Sequence, residues 1–232
     1  MITQNVSVWL HATNNKVAEA AMGFKHLIIL LLLSSITLAQ PAVNTIKTGD
    51  IVFQDMDCGD LCNAIEKVTQ SYGNNSFSHM GLCYWRTDTL YVIEAVGKGV
   101  MLTPYQAFIN RSADSAGKPK IKLARVKNKH AELVQRAVNI ALSYLGTPYD
   151  DYYIMGDDKL YCSELMYRAF YKANNNHDFF ELEPMTFKDP DTHTYFPAWV
   201  TYYTNLDIPI PEGFMGCNPG GISRSKHIEF VE

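Results

Sequence analysis

Cys162 stands in Tyr161-Cys162-Ser163-Glu164-Leu165, after a turn-rich loop (Gly156, Asp157, Asp158, Lys159) and directly before the helix-like run Leu165-Met166-Tyr167-Arg168-Ala169-Phe170. A thiol at a helix start lies beside unpaired N–H groups and the positive end of the helix dipole, which favour thiolate over thiol. Free cysteine titrates near about 8.5, and a helix N-terminus with a cationic neighbour lowers that to roughly 3.5–7.5. The chemistry on offer is nucleophilic attack on a carbonyl carbon. The competing reading is a small buried hydrophobe, which most unpaired cysteines are.

A thiolate nucleophile needs a base, and the base needs a group that fixes its tautomer. Of seven histidines, His11 and His26 fall in the N-terminal segment, His130 opens a surface helix, and His177 and His227 lie among polar residues with no partner indicated. His193, in Asp191-Thr192-His193-Thr194, follows the cysteine in the chain and is the second choice of base. His79 is the first choice. It enters the strand-like run Phe77-Ser78-His79-Met80-Gly81-Leu82-Cys83-Tyr84-Trp85, and Arg86-Thr87-Asp88-Thr89 connects this to Leu90-Tyr91-Val92-Ile93-Glu94-Ala95-Val96. A turn centred on Thr87-Asp88 sets Tyr84 against Tyr91 and Gly81 against Glu94. His79 and Gly81 then share a face, and Glu94 lies diagonally from His79 within reach of its side chain. A carboxylate on a half-buried face requires a partner, which argues against a merely solvated Glu94.

The elements around these residues read as mixed α and β. Ile51-Val52-Phe53 after Thr48-Gly49-Asp50 is a short buried strand. Leu61, Ile65, Val68 and Tyr72 recur at helical spacing, with Asp60 as cap and Gly73 as stop. Val100-Met101-Leu102 is a further strand, Pro104 to Phe108 a short helix, Asn110 to Lys118 a polar loop and Ile121 to Val126 an alternating strand. The strongest helix runs from His130 to Leu145, with Leu133, Val134, Ala137, Val138, Ala141, Tyr144 and Leu145 on one face; Gly146 ends it and Pro148 prevents its resumption. The cysteine helix runs to about Ala173, where three asparagines stop it. Six later prolines break the chain into loops, and Ile228 to Val231 closes as an edge strand. No internal repeat or linker divides the chain, so the expectation is one α+β domain.

Composition narrows the function classes. The 232 residues carry a net charge of −4 and no Lys/Arg run, which excludes a nucleic-acid partner. A hydrophobic share of 47% suffices for one sizeable core. Tyrosine is the commonest aromatic at 14, filling the core or lining a groove. From Met22 a basic start, the apolar run Leu27 to Leu33 and small residues up to Ala39 read as a signal peptide cut after Ala39. That run is short of the roughly 20 residues a bilayer span requires. The expected division is a non-structural extension over 1–21, a signal peptide over 22–39 and a single domain over 40–232, in an exported, periplasmic or extracellular protein. Export permits disulfides. Among Cys58, Cys62, Cys83, Cys162 and Cys217 an odd count leaves at least one thiol free; Cys83 reads as buried, and Cys58, Cys62 and Cys217 include at most one bridge that spacing does not assign. No CxxC pair or His/Cys cluster has the spacing of a zinc site, so neither metal nor cofactor is expected.

Five pieces in order carry a resemblance: Gly49 to Phe53, Phe77 to Leu82, Ile93-Glu94-Ala95, Gly146-Thr147-Pro148-Tyr149-Asp150 and Tyr161 to Leu165. Together they resemble the permuted papain-like amidases of the YiiX/YaeF-like group, related by circular permutation to the NlpC-type cell-wall peptidases. The resemblance implies an α+β, circularly permuted papain-like (NlpC-type) fold, with an antiparallel sheet packed against helices that include the one bearing the cysteine. It implies Cys162 as nucleophile, His79 as general base and Glu94 as the residue orienting His79. Tyr149 and Tyr161 are the side chains it suggests for substrate or oxyanion contact, beside the backbone N–H of Cys162. Glu164 is expected to serve structure. The implied activity is a cysteine hydrolase cleaving an amide through an acyl-thioester, on a small peptide or cell-wall fragment. A lipid-like acyl substrate, hydrolysed or transferred, is the second reading, and a non-catalytic binding module on the same fold the third. The departure from the family pattern is the Cys58–Cys62 segment, where a bridge would reshape the cleft. Oligomeric state is not legible.

Overall fold

A computed structural model describes residues 43–156 and 158–231. The expected extension, signal peptide and cleavage after Ala39 lie outside the described residues.

Strands β1 (Ile51–Gln54), β2 (His79–Arg86), β3 (Thr89–Val96), β4 (Gly99–Pro104), β5 (Ile121–Val126) and β8 (Ile228–Val231) form one sheet in the order β4-β3-β2-β1-β5-β8, every neighbouring pair antiparallel. Ile51, Val52 and Phe53 of β1 run apolar without alternation because the strand is central and both its faces are covered; all four of its residues, Gln54 included, are buried. The hairpin register follows the sequence reading. Arg86 pairs with Thr89 and Tyr84 with Tyr91, so the turn is Thr87-Asp88, with Thr87 in the left-handed region at φ 54°.

The period of two divides the side chains into two cores. Ile51, Phe53, Met80, Leu82, Ile93, Ala95 and Ala124 face helices α3 (Ala131–Ser143) and α4 (Cys162–Ala173). Val52, Cys83, Val92 and Leu123 face the short helix α2 (Tyr105–Ile109), through Tyr105, Phe108 and Ile109. Helix α3 buries Leu133, Ala137, Val138 and Ala141, as its apolar face requires. Helix α4 is buried on nearly every side because it lies between α3 and the sheet, and Asn175 and Asn176, both at positive φ, end its path.

The remaining elements build one side of the molecule. They are α1 (Asp60–Val68), the two-residue ribbon β6 (Glu183–Pro184) with β7 (Met215–Gly216), α5 (Pro197–Asn205) and α6 (Pro219–Ser223). Helix α1 departs from its sequence reading at both ends. Gly59 holds the cap position and Asp60 is the first helical residue; the helix stops at Val68, a turn before Tyr72. Beyond it the backbone turns to α6 for its partners: Tyr72 N–H donates to Ser223 Oγ at 2.9 Å, and Arg224 Nε donates to the Gln70 carbonyl at 3.0 Å. Cys58 is bridged to Cys62 across the start of α1, leaving Cys83, Cys162 and Cys217 as buried free thiols.

His130 and His227 also depart from their surface reading. They contact each other, Nε2 to Nδ1 at 3.0 Å, and Phe179 stacks on His227.

Candidate active site

Cys162 is the first residue of α4, with Tyr161 extended before it as cap. First-turn N–H groups have no acceptor within their own helix. The thiol is 6% exposed and forms part of the wall of a cleft of about 280 Å³. What places it there is the preceding segment. Leu160 N–H donates to the Pro148 carbonyl (3.0 Å) and Asp150 N–H to the Leu160 carbonyl (3.2 Å), a parallel bridge that sets Tyr149 beside the cysteine. Buried Asp150 shapes the loop between them, accepting from the N–H groups of Tyr152 and Ile154, each at 2.9 Å. Gly99 lets the Gly146–Tyr149 segment dock on β4: a Cβ there would lie 2.2 Å from the Thr147 carbonyl oxygen.

His79 opens β2 at the rim of the sheet and is 4% exposed. Its Nε2 meets Glu94 Oε2 at 2.6 Å, which leaves Nδ1 as the nitrogen available to Cys162, whose sulfur acts on the ring electrostatically. Burial depresses the basicity of this imidazole. Its interactions with the negative charges of Cys162 and Glu94 more than offset that, raising it to about 9. Glu94 is fully buried, and burial would raise its carboxyl. Hydrogen bonds from His79 and Arg111 outweigh burial and bring it down to about 2. Gly81 makes the approach possible: a Cβ there would meet Val92 Cγ1 at 2.3 Å and Glu94 Cβ at 3.3 Å.

Arg111 escaped sequence reasoning. Its Nη1 donates to Glu94 Oε2 at 2.8 Å, its Nη2 donates to Oε1, and the guanidinium lies 5.2 Å from the centre of the Phe108 ring. The only sequence signal was indirect: a carboxylate in an apolar strand demands compensating charge.

The two candidate tyrosines sit differently. Tyr149 lines the cleft and its hydroxyl is held well above the usual range, by burial first and then by Tyr153 and Cys162. Tyr161 also lines the cleft, but its hydroxyl is engaged, donating to Met155 Sδ (3.3 Å) and accepting from Cys217 N–H (3.3 Å), so it braces the cleft wall. Ser163 Oγ binds the Cys217 carbonyl at 2.9 Å from the same side. Glu164 ties helix to loop, accepting from Gly156 N–H (3.0 Å) and Arg168 Nε (2.8 Å); burial pushes its carboxyl up to about 7. His193 is exposed on a surface turn at φ 57°, its N–H donating to the Asp189 carbonyl.

Beside Cys162 the cleft is lined by a mix of apolar, aromatic and polar residues. α1 supplies Ile65 and Val68, and Met185, Phe187 and Trp199 line the same cleft. The Trp199 indole N–H is buried with no partner. Glu183 and Arg224, the charged residues of this wall, pair with each other at 3.3 Å. The Cys58–Cys62 bridge pins the start of α1, so it bears on the cleft through that helix.

This arrangement, a thiol at a helix start with a buried imidazole held by a carboxylate, can perform nucleophilic acyl chemistry. Residues 45–232 match the family model described as permuted papain-like amidase enzyme, YaeF/YiiX, C92 family. The uncharacterized protein YiiX of Escherichia coli (strain K12) is 34% identical over 128 residues, covering 55% of this chain and 58% of that protein. The chain thus aligns with somewhat over half the length of that curated relative. A crystal structure titled metalloprotein yiiX from Escherichia coli O157:H7 superposes with a TM-score of 0.65 at 26% identity, over 80% of this chain and 96% of that one. Among the described residues of the present chain, no group of three or more His, Cys, Asp or Glu side chains is placed to hold a metal ion.

Proposed function

The chain belongs to the permuted papain-like amidase family, and from that premise we propose that it is a cysteine hydrolase in which Cys162 attacks the carbonyl carbon of an amide. The observation that carries the reading is the buried His79 ring, held by Glu94 and near enough to Cys162 for the sulfur to raise its basicity. His79 Nδ1 takes the thiol proton, and the sulfur–carbon bond forms as the carbonyl π electrons move to oxygen. The Cys162 backbone N–H receives that oxyanion at the helix start, with the Tyr149 hydroxyl as second donor. Collapse expels the amine, which leaves with the proton from His79. Water, deprotonated by the same nitrogen, then cleaves the thioester, releasing the acid and restoring the thiol. Glu94 keeps the ring turned so that Nδ1 faces sulfur throughout.

The substrate we propose is a cell-wall peptide, met after export. The basic-then-apolar segment 22–39 supports export, and N-terminal sequencing of the secreted protein tests it, with Gln40 the expected first residue. A lipid-like acyl substrate is the second reading, favoured by the apolar wall of Ile65, Val68, Met185, Phe187 and Trp199. Incubation with peptidoglycan fragments and with N- and O-acyl lipids separates them: new amino groups from the fragments support the first, free fatty acid the second. Iodoacetamide alkylation of Cys162 against pH tests the centre without any substrate. The expected result is rapid labelling near neutrality that His79→Ala slows at least tenfold. Labelling that rises only near about pH 8.5, as for an unperturbed thiol, returns Cys162 to a buried hydrophobe and leaves a binding module as the remaining reading.

A further inference from the structure

Glu94 orients His79, yet a carboxylate alone beside a buried imidazole has a drawback. An uncompensated anion stabilises the imidazolium, and an imidazolium held too firmly is a poor acid for the departing amine. The fold places a cation on the far side of that anion. Arg111, from the loop after α2, covers both oxygens of Glu94 with its guanidinium fork, and its own side chain is 26% exposed where Glu94 is 0%. The aromatic ring of Phe108 supports it: the guanidinium lies 5.2 Å from the ring centre, and the same ring lies 5.7 Å from that of His79. Thr103 Oγ1 on β4 is a further acceptor at 3.4 Å from Nη2.

We propose that Arg111 is a positioning residue of this centre, clamping Glu94 in the plane that directs His79 toward Cys162 and counterbalancing its charge so that His79 can both accept and release a proton. The inference rests on the assignment of Cys162, His79 and Glu94 proposed above. The groups facing His79 come from three elements: Glu94 on β3, Cys162 on α4, and Arg111 acting through Glu94. Tyr149 and Tyr153 face Cys162 from the preceding loop, and Glu66 and Asp55 interact around the neighbouring Ser78. Among the charged groups in this set, Arg111 is the cation in contact with Glu94. A guanidinium suits the task because it meets both carboxylate oxygens in one plane, which an ammonium does not.

Loss of the Arg111 charge has a defined sign. Glu94 loses a stabilising cation, so it protonates at higher pH. His79 loses a repelling one, so its imidazolium persists to higher pH. The alkaline limb of the Cys162 reactivity profile, set by His79, therefore moves to higher pH. The test is iodoacetamide alkylation of the full chain across roughly pH 4 to 10, read by mass spectrometry of the Cys162 peptide. Four proteins are compared: parent, Arg111→Lys, Arg111→Met and His79→Ala. Circular dichroism verifies the fold, and Arg111→Gln replaces Arg111→Met should the latter not fold. The expected result is that the alkaline inflection of the Arg111→Met profile, set by His79, rises by about one unit. Arg111→Lys, which keeps the charge and loses the fork, returns that inflection toward the parent and leaves a lower plateau rate. A plateau that falls in Arg111→Met with the alkaline inflection in place makes Arg111 structural only and overturns the inference. Failure of the underlying assignment looks different: His79→Ala then labels with the parent's profile.

Discussion

Replacing Glu94 by Gln tests the buried charge network most directly. The carboxylate accepts from three donors, His79 Nε2 and both terminal nitrogens of Arg111. Glutamine preserves the shape but has one acceptor oxygen and an NH₂ group, so at least one donor meets another donor. The depression of Glu94 from 4.5 to about 2 already includes the opposing cost of burial. At about 1.4 kcal/mol per unit this corresponds to roughly 3 kcal/mol favouring the ionised form in the folded state. The group is depressed, so its contribution is fully present above the unfolded value of 4.5 and is lost as pH falls through about 2. Urea unfolding of parent and Glu94→Gln should therefore differ by about 3 kcal/mol at pH 7 and about 1 kcal/mol at pH 3, with equal m-values. A gap below about 1 kcal/mol at pH 7, or one that does not narrow on acidification, would refute the reasoning. In that case the network orders His79 without contributing to stability.

Three further outcomes follow from the geometry. Gly81→Ala pushes a Cβ to 2.3 Å from Val92 Cγ1 and 3.0 Å from the Ile93 carbonyl, so β3 must shift where it carries Glu94; we expect a loss of about 1–3 kcal/mol on thermal or urea unfolding, together with slower Cys162 alkylation. The paired changes Cys58→Ser and Cys62→Ser free the start of the cleft helix and remove a short loop closure of about 2 kcal/mol; calorimetry reads the stability and KM rises more than kcat falls, because the Cys162–His79 contact is untouched. The two tyrosines separate cleanly: Tyr161→Phe leaves the buried Cys217 N–H without its acceptor and lowers stability by about 1–3 kcal/mol with kcat retained, whereas Tyr149→Phe lowers kcat about a hundredfold with stability retained.

Much of the site was open to reading because its parts are locally determined. The hairpin turn Thr87-Asp88 and the period of two leave one register, and that register, continued one pair beyond Leu82 and Ile93, places Gly81 opposite Glu94 and His79 on the same face. Helix α3 and the cysteine helix declared themselves through apolar spacing and terminal glycine or asparagine. Arg111 did not. It lies in a polar loop with no periodicity, 17 residues from its partner, and no short-range pattern distinguishes it from a solvated arginine. His130 and His227 are 97 residues apart and read separately as surface histidines, although their rings meet. Helix α1 stops early for a comparable reason: the apolar spacing continues to Tyr72, but Ser223 and Arg224 of the distant C-terminal segment bind the backbone there.

The sequence by itself determined the α+β class, the strand and helix order as far as the cysteine helix (the helices that start at Pro197 and Pro219 read as loops), the place of Cys162 at a helix start and the pairing of His79 with Glu94. These depend on turns, caps and periodicity, which act over a few residues. Only the tertiary structure decided that Cys58 bridges Cys62, that the Tyr161 hydroxyl is taken up by Met155 and Cys217 while the Tyr149 hydroxyl is not, and that Arg111 closes over Glu94. Each of those depends on where distant segments meet once both faces of the sheet are covered, and a buried charge or hydroxyl takes whichever partner that packing delivers.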